Sequence, residues 1–250
     1  MKKKTLWLAG LTVMVAALAT QSCSNDEPDY SLSYPTALVT VKPNVNNTSF
    51  SMQLDDSTVL HPVNRKTSPF GTKEVRALVN YTVVDRPTLG KGINVNVNWI
   101  DSIRTKNMAP FLNEKKNVET YGDDPVEIVD DWVTIAEDGY LTLRFRTRWS
   151  HGITHFVNLV QVPNLVDNYI VRFYHNAQKD TNGRVGDGIV AFRLNNLPDT
   201  QGKTVWLTLE WNSYRGPKTV KFKYCTRKNT LTRGTNSAAM TAPVQITRID

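Results

Sequence analysis

From residue 35 onward, apolar positions recur every second residue, the period of a strand with one buried face rather than of a helix. Ala37 to Val41, Phe50 to Leu54 and Val75 to Val84 read as strands, as does Ile93 to Trp99, where apolar residues alternate with asparagines. Pro43-Asn44, Asp55-Asp56, Pro69-Phe70-Gly71 and Gly90-Lys91-Gly92 supply the breaks between them. Short strands at this density predict a small closed barrel over residues 35–115, because closure leaves no strand edge open.

The polar stretch from Thr105 to Glu127 carries Pro110, Pro125 and the charged run Glu114-Lys115-Lys116. It reads chiefly as an interdomain connection with room for a short helix, so barrel and second domain are expected to be separable near residues 115–125. Alternation then resumes. Leu141, Leu143, Phe145, Thr147 and Trp149 share one strand face, and Thr142, Arg144, Arg146 and Arg148 share the other. Ile153 to Val162, Tyr169 to His175, Gly188 to Leu194, Val205 to Trp211 and Val220 to Tyr224 continue the pattern. Antiparallel strands with one apolar face each predict a β-sandwich of two packed sheets over residues 125–228. Residues 229–250, rich in Thr, Ser, Asn and Ala without periodicity, read as a loose tail. The fold class is therefore all-β.

The first 22 residues belong to a different regime. Lys2–Lys4 precede an apolar run from Leu6 to Ala19, too short for a membrane span of about 20 residues and suited to a signal peptide. Thr20-Gln21-Ser22-Cys23 follows, a small residue before a cysteine, which resembles a loose bacterial lipobox. The Cys23 thiolate can take a diacylglyceryl group in thioether linkage, and cleavage before it frees an amine for further acylation. Each buried CH₂ contributes about 0.8 kcal/mol, so two or three chains hold a protein on a bilayer where one would not. An ordinary secretory signal with a coincidental cysteine is the plainer alternative. Residues 23–34 form a polar tether, and Asp26-Glu27 within it looks like the acidic export tag of surface lipoproteins. The expected location is the outer membrane, lipid-anchored through Cys23 and facing outward.

This assignment changes how charge is read. The chain carries +7, but setting aside Lys2–Lys4 leaves +4, too mild to argue for nucleic acid. It also changes the cysteine arithmetic: with Cys23 acylated, Cys225 has no partner for an internal disulfide or a cysteine-based zinc site.

No set of residues reaches the threshold of a catalytic motif, and no cofactor or metal is expected. His151 and His155 sit at i, i+4, which unites ligands only on a helix. Gly183 to Gly188 lacks the Gly-Lys-Ser/Thr ending of a phosphate loop, and Asp180-Thr-Asn182-Gly183 places its glycine too early for a calcium loop. Asp123-Asp124 and Asp130-Asp131 flank Pro125 in a loop-like stretch with no sign of a cleft. Cys225 has Lys223 and Arg227 beside it but no base. Two features suit contact with a ligand or partner, protein or glycan. One is the row Arg144, Arg146 and Arg148, which would bind an anion if Lys221, Lys223 and Arg227 shared its sheet. The other is Trp206, which points away from the Val205/Leu207/Leu209 face. A solvated outer face, paired with Glu210, Asp130 or Asp131, is the plainer reading of the arginines.

Several blocks resemble one family. Ala37 to Pro43, Phe70 to Leu78, and Asn98 to Ile103 with Lys106 resemble the N-terminal domain of the NigD-like lipoproteins of Bacteroidetes. Asp131 to Thr134, Arg144 to Thr147, His151-Gly152, His155 to Leu159, Gly186 to Phe192 and Phe222 to Cys225 resemble its C-terminal domain. The resemblance runs from residue 23 to about 228 and is specific in combination. It implies an OB-like barrel followed by a β-sandwich, in a family named for a bacteriocin operon in which a self-protection role was proposed. It implies no catalytic or binding residue, and OB barrels bind nucleic acids, sugars and proteins alike. The reading is therefore a non-catalytic surface lipoprotein with a binding or protective role, bacteriocin self-protection in particular. The alternative is a glycan-binding component of a polysaccharide-utilisation system, using Trp206 and the arginine row.

Overall fold

The computed structural model describes residues 30–85, 92–150 and 152–227. The signal segment, Cys23, most of the tether, His151 and the 229–250 tail lie outside the described residues.

After a 3-10 turn at Tyr30–Ser33, five strands close a barrel: β1 (Ala37–Pro43), β2 (Phe50–Gln53), β3 (Val59–Pro62), β4 (Val75–Asp85) and β5 (Ile93–Ser102). They pair in the order β1-β2-β3-β5-β4 and back to β1. The alternate residues Val39 and Val41 of β1, Ala77 and Val79 of β4, and Val95 and Val97 of β5 fill the interior with Met52 and Leu60. β3 escapes the period-two reading because its four residues end in a proline, yet it closes the barrel by pairing in parallel with β5.

The second body stacks two sheets. One has the order β6-β12-β9-β7, with β8 also on β9, from β6 (Arg104–Asn107), β7 (Glu127–Ile128), β8 (Ile135–Glu137), β9 (Tyr140–Trp149) and β12 (Arg184–Arg193). The other has the order β10-β11-β13-β14, from β10 (Phe156–Gln161), β11 (Ile170–Asn176), β13 (Val205–Ser213) and β14 (Gly216–Tyr224). Leu141, Leu143, Phe145, Val157, Leu159, Phe173, Phe192, Leu207 and Leu209 form the core between them. The sandwich is not wholly antiparallel. The chain leaves one sheet for β12 and re-enters it, so β13 lies parallel to β11, and β6 lies parallel to β12.

The connection differs from the sequence expectation. β6 follows the barrel after one residue, Ile103, and joins a sandwich sheet. It has no apolar pattern because its contribution is backbone pairing; its Lys106 donates to the Val157 carbonyl across the core edge at 2.7 Å. The helix α1 (Glu114–Tyr121) is capped by Asn113, whose side chain accepts from the Lys116 amide. Its buried Asn117 donates to the Tyr174 hydroxyl, and Tyr121 packs on the Tyr174 ring, so the segment around 115–125 is bound to the sandwich.

Barrel and sandwich meet through a built joint. Leu38 and Leu78, on the outside of the barrel, pack against Ile103, Val133, Tyr140, Ile189 and Ala191. Beside them Arg76, 0% exposed, donates to Thr40 (3.0 Å), Thr142 (3.4 Å) and Glu137 (3.3 Å). The guanidinium carbons of Arg76, Arg193 and Arg227 lie 5.9, 5.7 and 5.3 Å from the centre of the Tyr140 ring, which attracts cations through its face. The Tyr140 hydroxyl donates to Glu74 of the barrel at 2.6 Å, and Arg227 spans from Glu74 to Asp138. Burial and the bond to Glu74 push the Tyr140 phenol up to about 12. Burial likewise pushes Glu137 up to about 7, against the pull of Arg76 and with the help of Asp56 and Asp55.

Candidate functional site

The strand face that carries the predicted contact residues divides in two. On β9, Tyr140, Thr142, Arg144, Arg146 and Arg148 point the same way, and β12 sets Ala191, Ile189, Asp187 and Val185 beside Thr142 to Arg148 in turn. The first part of this face, with Tyr140, Thr142, Ile189 and Ala191, lies under the barrel and is buried. Beyond Arg144 it opens to solvent.

At that border sits Asp187. Its carboxylate accepts two bonds from Arg144 and two from Arg146, the latter at 2.6 and 3.0 Å, while Asp131 takes the third side of Arg144 at 2.7 Å. Burial opposes ionisation of Asp187, yet the hydrogen bonds from Arg146 and Arg144 hold its pKa below the usual carboxylate range. Arg144 is thus fixed by two acids. Arg146 keeps about half its side chain exposed, and Arg148 reaches only the Gly183 carbonyl, at 3.3 Å, with no acid partner among the described residues. Both line a pocket of about 220 Å³ with Glu127, Thr147, Val185 and Tyr214. Tyr214 is positioned by a 3.0 Å hydrogen bond between its hydroxyl and that of Thr147, and Glu127 is neutralised by Lys218 at 2.6 Å. The opening therefore combines a guanidinium that has no acid partner among the described residues with exposed Val185 and Tyr214.

The other expected residues fall elsewhere. Lys221 and Lys223 stand on β14 in the opposite sheet, and Arg227 turns to the barrel, so the three do not extend the arginine row. Trp206, 54% exposed, lies on the outer face of that opposite sheet, across from Lys223. Arginine row and tryptophan occupy opposite sides of the sandwich. Asp123 pairs with Arg172, Asp124 caps the Ala177 amide, and Asp131 holds Arg144, so these acids are committed to structure. Cys225 contacts the Thr200 hydroxyl at 3.6 Å.

A polar chain at the end of the sandwich away from the barrel joins His155 and Asp180, which the sequence places in unrelated motifs, to His175. The His175 Nδ1 faces the Asp124 carbonyl at 3.2 Å, its Nε2 faces His155 Nδ1 at 2.9 Å, and His155 Nε2 faces Asp180 at 3.2 Å. The three contacts need three protons, one more than two neutral rings carry. Burial, with His155 beside it, pushes His175 down to about 4, and bonds from Ser150 and His155 hold Asp180 below its usual range. His155 stacks on Trp149 at 4.2 Å. The members lie in a line rather than around a point, and among the described residues no three His, Cys, Asp or Glu side chains converge on a metal position. The chain ties three loops together. Residues so far apart leave no local spacing to read.

The described residues form an all-β body in which a five-stranded barrel is docked on a two-sheet sandwich. The NigD-like N-terminal OB domain matches residues 38–103, and the NigD-like C-terminal beta sandwich domain matches residues 107–224. The chain belongs to the NigD-like family. It is similar to the crystal structure of a toxin-related protein from Parabacteroides distasonis, with 37% identity, a TM-score of 0.64, and coverage of 76% of this chain and 92% of that one. A protein of unknown function from Bacteroides vulgatus shares the fold at 22% identity and a TM-score of 0.61, covering 80% and 94%. A NigD-like immunity protein from Bacteroides caccae shares it at 19% identity and a TM-score of 0.53, covering 74% and 90%. No curated protein matches. Among the described residues, no helix is long and apolar enough to cross a membrane.

Proposed function

We propose that this chain is a non-catalytic lipoprotein of the cell envelope, anchored in the outer membrane through Cys23 and facing outward, that protects its own cell by occupying a partner, a bacteriocin or that bacteriocin's receptor. The observation that carries the reading is the open half of the β9/β12 face. There Arg148, unmatched by an acid among the described residues, and half-exposed Arg146 flank a pocket with Val185 and Tyr214. An exposed aromatic and arginines around a small recess are the composition of a protein contact, where a few residues carry most of the affinity. Arg144 supports the patch from beneath, through Asp187. The family's immunity-named member lends the direction.

The test is a deletion strain challenged with the secretions of its parent. Loss of the gene is expected to raise sensitivity, and re-expression of the chain is expected to restore resistance. The Arg148→Glu form, which breaks no ion pair among the described residues, is expected to accumulate normally and fail to restore it. Unchanged sensitivity on deletion removes the protective reading. A glycan-binding role remains the second reading, carried by exposed Trp206 as a stacking platform without the arginine row. It predicts retention on a glycan array that Trp206→Ala abolishes.

A further inference from the structure

The connection from β10 to β11 ends in two aliphatic side chains with no cover: Leu165 is 106% exposed and Val166 95%. A flexible loop would shelter them against the nearest apolar surface, but this one is braced. The Asn164 side chain accepts from the amides of Val166 (2.8 Å) and Asp167 (3.0 Å), the Asp167 side chain accepts from the Tyr169 amide (2.8 Å), and Gln161 donates to the Asn168 carbonyl (2.9 Å). Side-chain bonds on both flanks hold the apex pointing outward. The strand register then fixes what stands behind it. Ile170 pairs with Thr208, and the Thr208 amide bonds the Tyr169 carbonyl, so Trp206 lies level with the base of the loop on the outer face. Lys223 sits directly across from Trp206, Lys221 across from Thr208, and exposed Lys203 precedes β13.

We propose that this end of the outer sheet is a membrane-contact edge: Leu165 and Val166 enter the acyl boundary of a lipid bilayer, Trp206 settles at headgroup level, and Lys203, Lys221 and Lys223 face lipid phosphates. The occupant follows from the order of chemistry along the edge. Two bare aliphatics lead, a half-exposed indole stands behind them, and ammonium groups on long stems stand beside it. This is the sequence of environments met on passing outward from acyl chain to interface to phosphate. The arrangement also leaves the Arg146/Arg148 pocket, on the outer face of the opposite sheet, turned away from the lipid. The inference rests on the membrane-anchored reading for its setting, not for its test.

The test uses the mature chain from Ser24, which carries no acyl group, sedimented with vesicles of phosphatidylethanolamine and phosphatidylglycerol. The wild-type chain is expected to co-sediment. Leu165→Ser/Val166→Ser is expected to lower the partition about tenfold or more, with unchanged melting because neither side chain is buried. Trp206→Ala is expected to lower it several-fold. Lys223→Glu is expected to weaken binding to vesicles with phosphatidylglycerol and not to pure phosphatidylcholine. Wild-type protein that stays in solution at every lipid concentration, or a double variant that sediments as well as wild type, overturns the proposal. Mass spectrometry of the mature N-terminus reads the Cys23 anchor separately, so either claim can fail alone.

Discussion

The two halves of the β9/β12 outer face begin with the same alternation and end with opposite chemistry. Under the barrel, Tyr140 and Thr142 are sealed with a buried Arg76 that is satisfied on every side by Thr40, Thr142 and Glu137. Past Asp187, Arg146 and Arg148 meet water, and a single shared carboxylate marks the change. A guanidinium is thus a structural element on one half and an available contact on the other. What separates the roles is whether a second domain covers it. Arginine count and strand position do not distinguish them.

The covered half should be the sensitive one. Arg76→Ala removes one partner of a buried pair and leaves the acceptors around it without a donor, which costs about 3–5 kcal/mol in comparable settings. Urea or thermal unfolding is expected to show a loss of that order. A loss below about 1 kcal/mol would mean that the joint adds little to the fold. A smaller effect comes from pH. Glu137 ionises at about 7 in the folded chain, against 4.5 for the free side chain, so between these values the folded state binds the extra proton and its stability falls as pH rises. The melting temperature of wild type, relative to Glu137→Gln, is expected to drop from pH 5 to pH 7 and then level off. A flat difference would break the comparison at its buried end. The smallest effect belongs to the open half: Arg148→Ala should change stability by no more than about 0.5 kcal/mol, as exposed charges do. A large loss there would show that Arg148 belongs to structure after all.

The barrel and the sandwich were legible because β1, β5, β9 and β13 each expose one face to a core, and burial of that face imposes period two on the residues. Where a strand contributes only backbone bonds, as β6 does with Arg-Thr-Lys-Asn, no pattern is imposed and none can be read. Arg76 illustrates a different blindness. In Val75-Arg76-Ala77-Leu78-Val79 its parity places it outside the barrel, which is correct, but outside a barrel is not outside the molecule. The packing of Asn117 and Tyr121 on the sandwich is hidden for the same reason, since docking depends on shape that alternation does not encode. The arginine row was placed on the right face. Its partner Asp187, forty-odd residues away, stands between Gly186 and Gly188, where no alternation marks the strand that carries it. The His175–His155–Asp180 chain lay beyond reach because its members come from three separate loops and strands.

The immediate passage from β5 through Ile103 into β6 carries a consequence for assembly in time. Every strand of the barrel precedes Ile103, whereas the sheet on which the barrel rests closes only when β12 arrives to pair Arg104 with Val190. A chain that emerges amino end first, whether from a ribosome or from an export channel, can complete the barrel before any of β9 to β12 has appeared. The barrel then stands as a finished template, with the Leu38–Leu78 surface exposed and β6 already held beside it. The later domain is built onto the earlier one, and its pairing of greatest sequence separation, β12 on β6, is made against a strand that has been waiting in place.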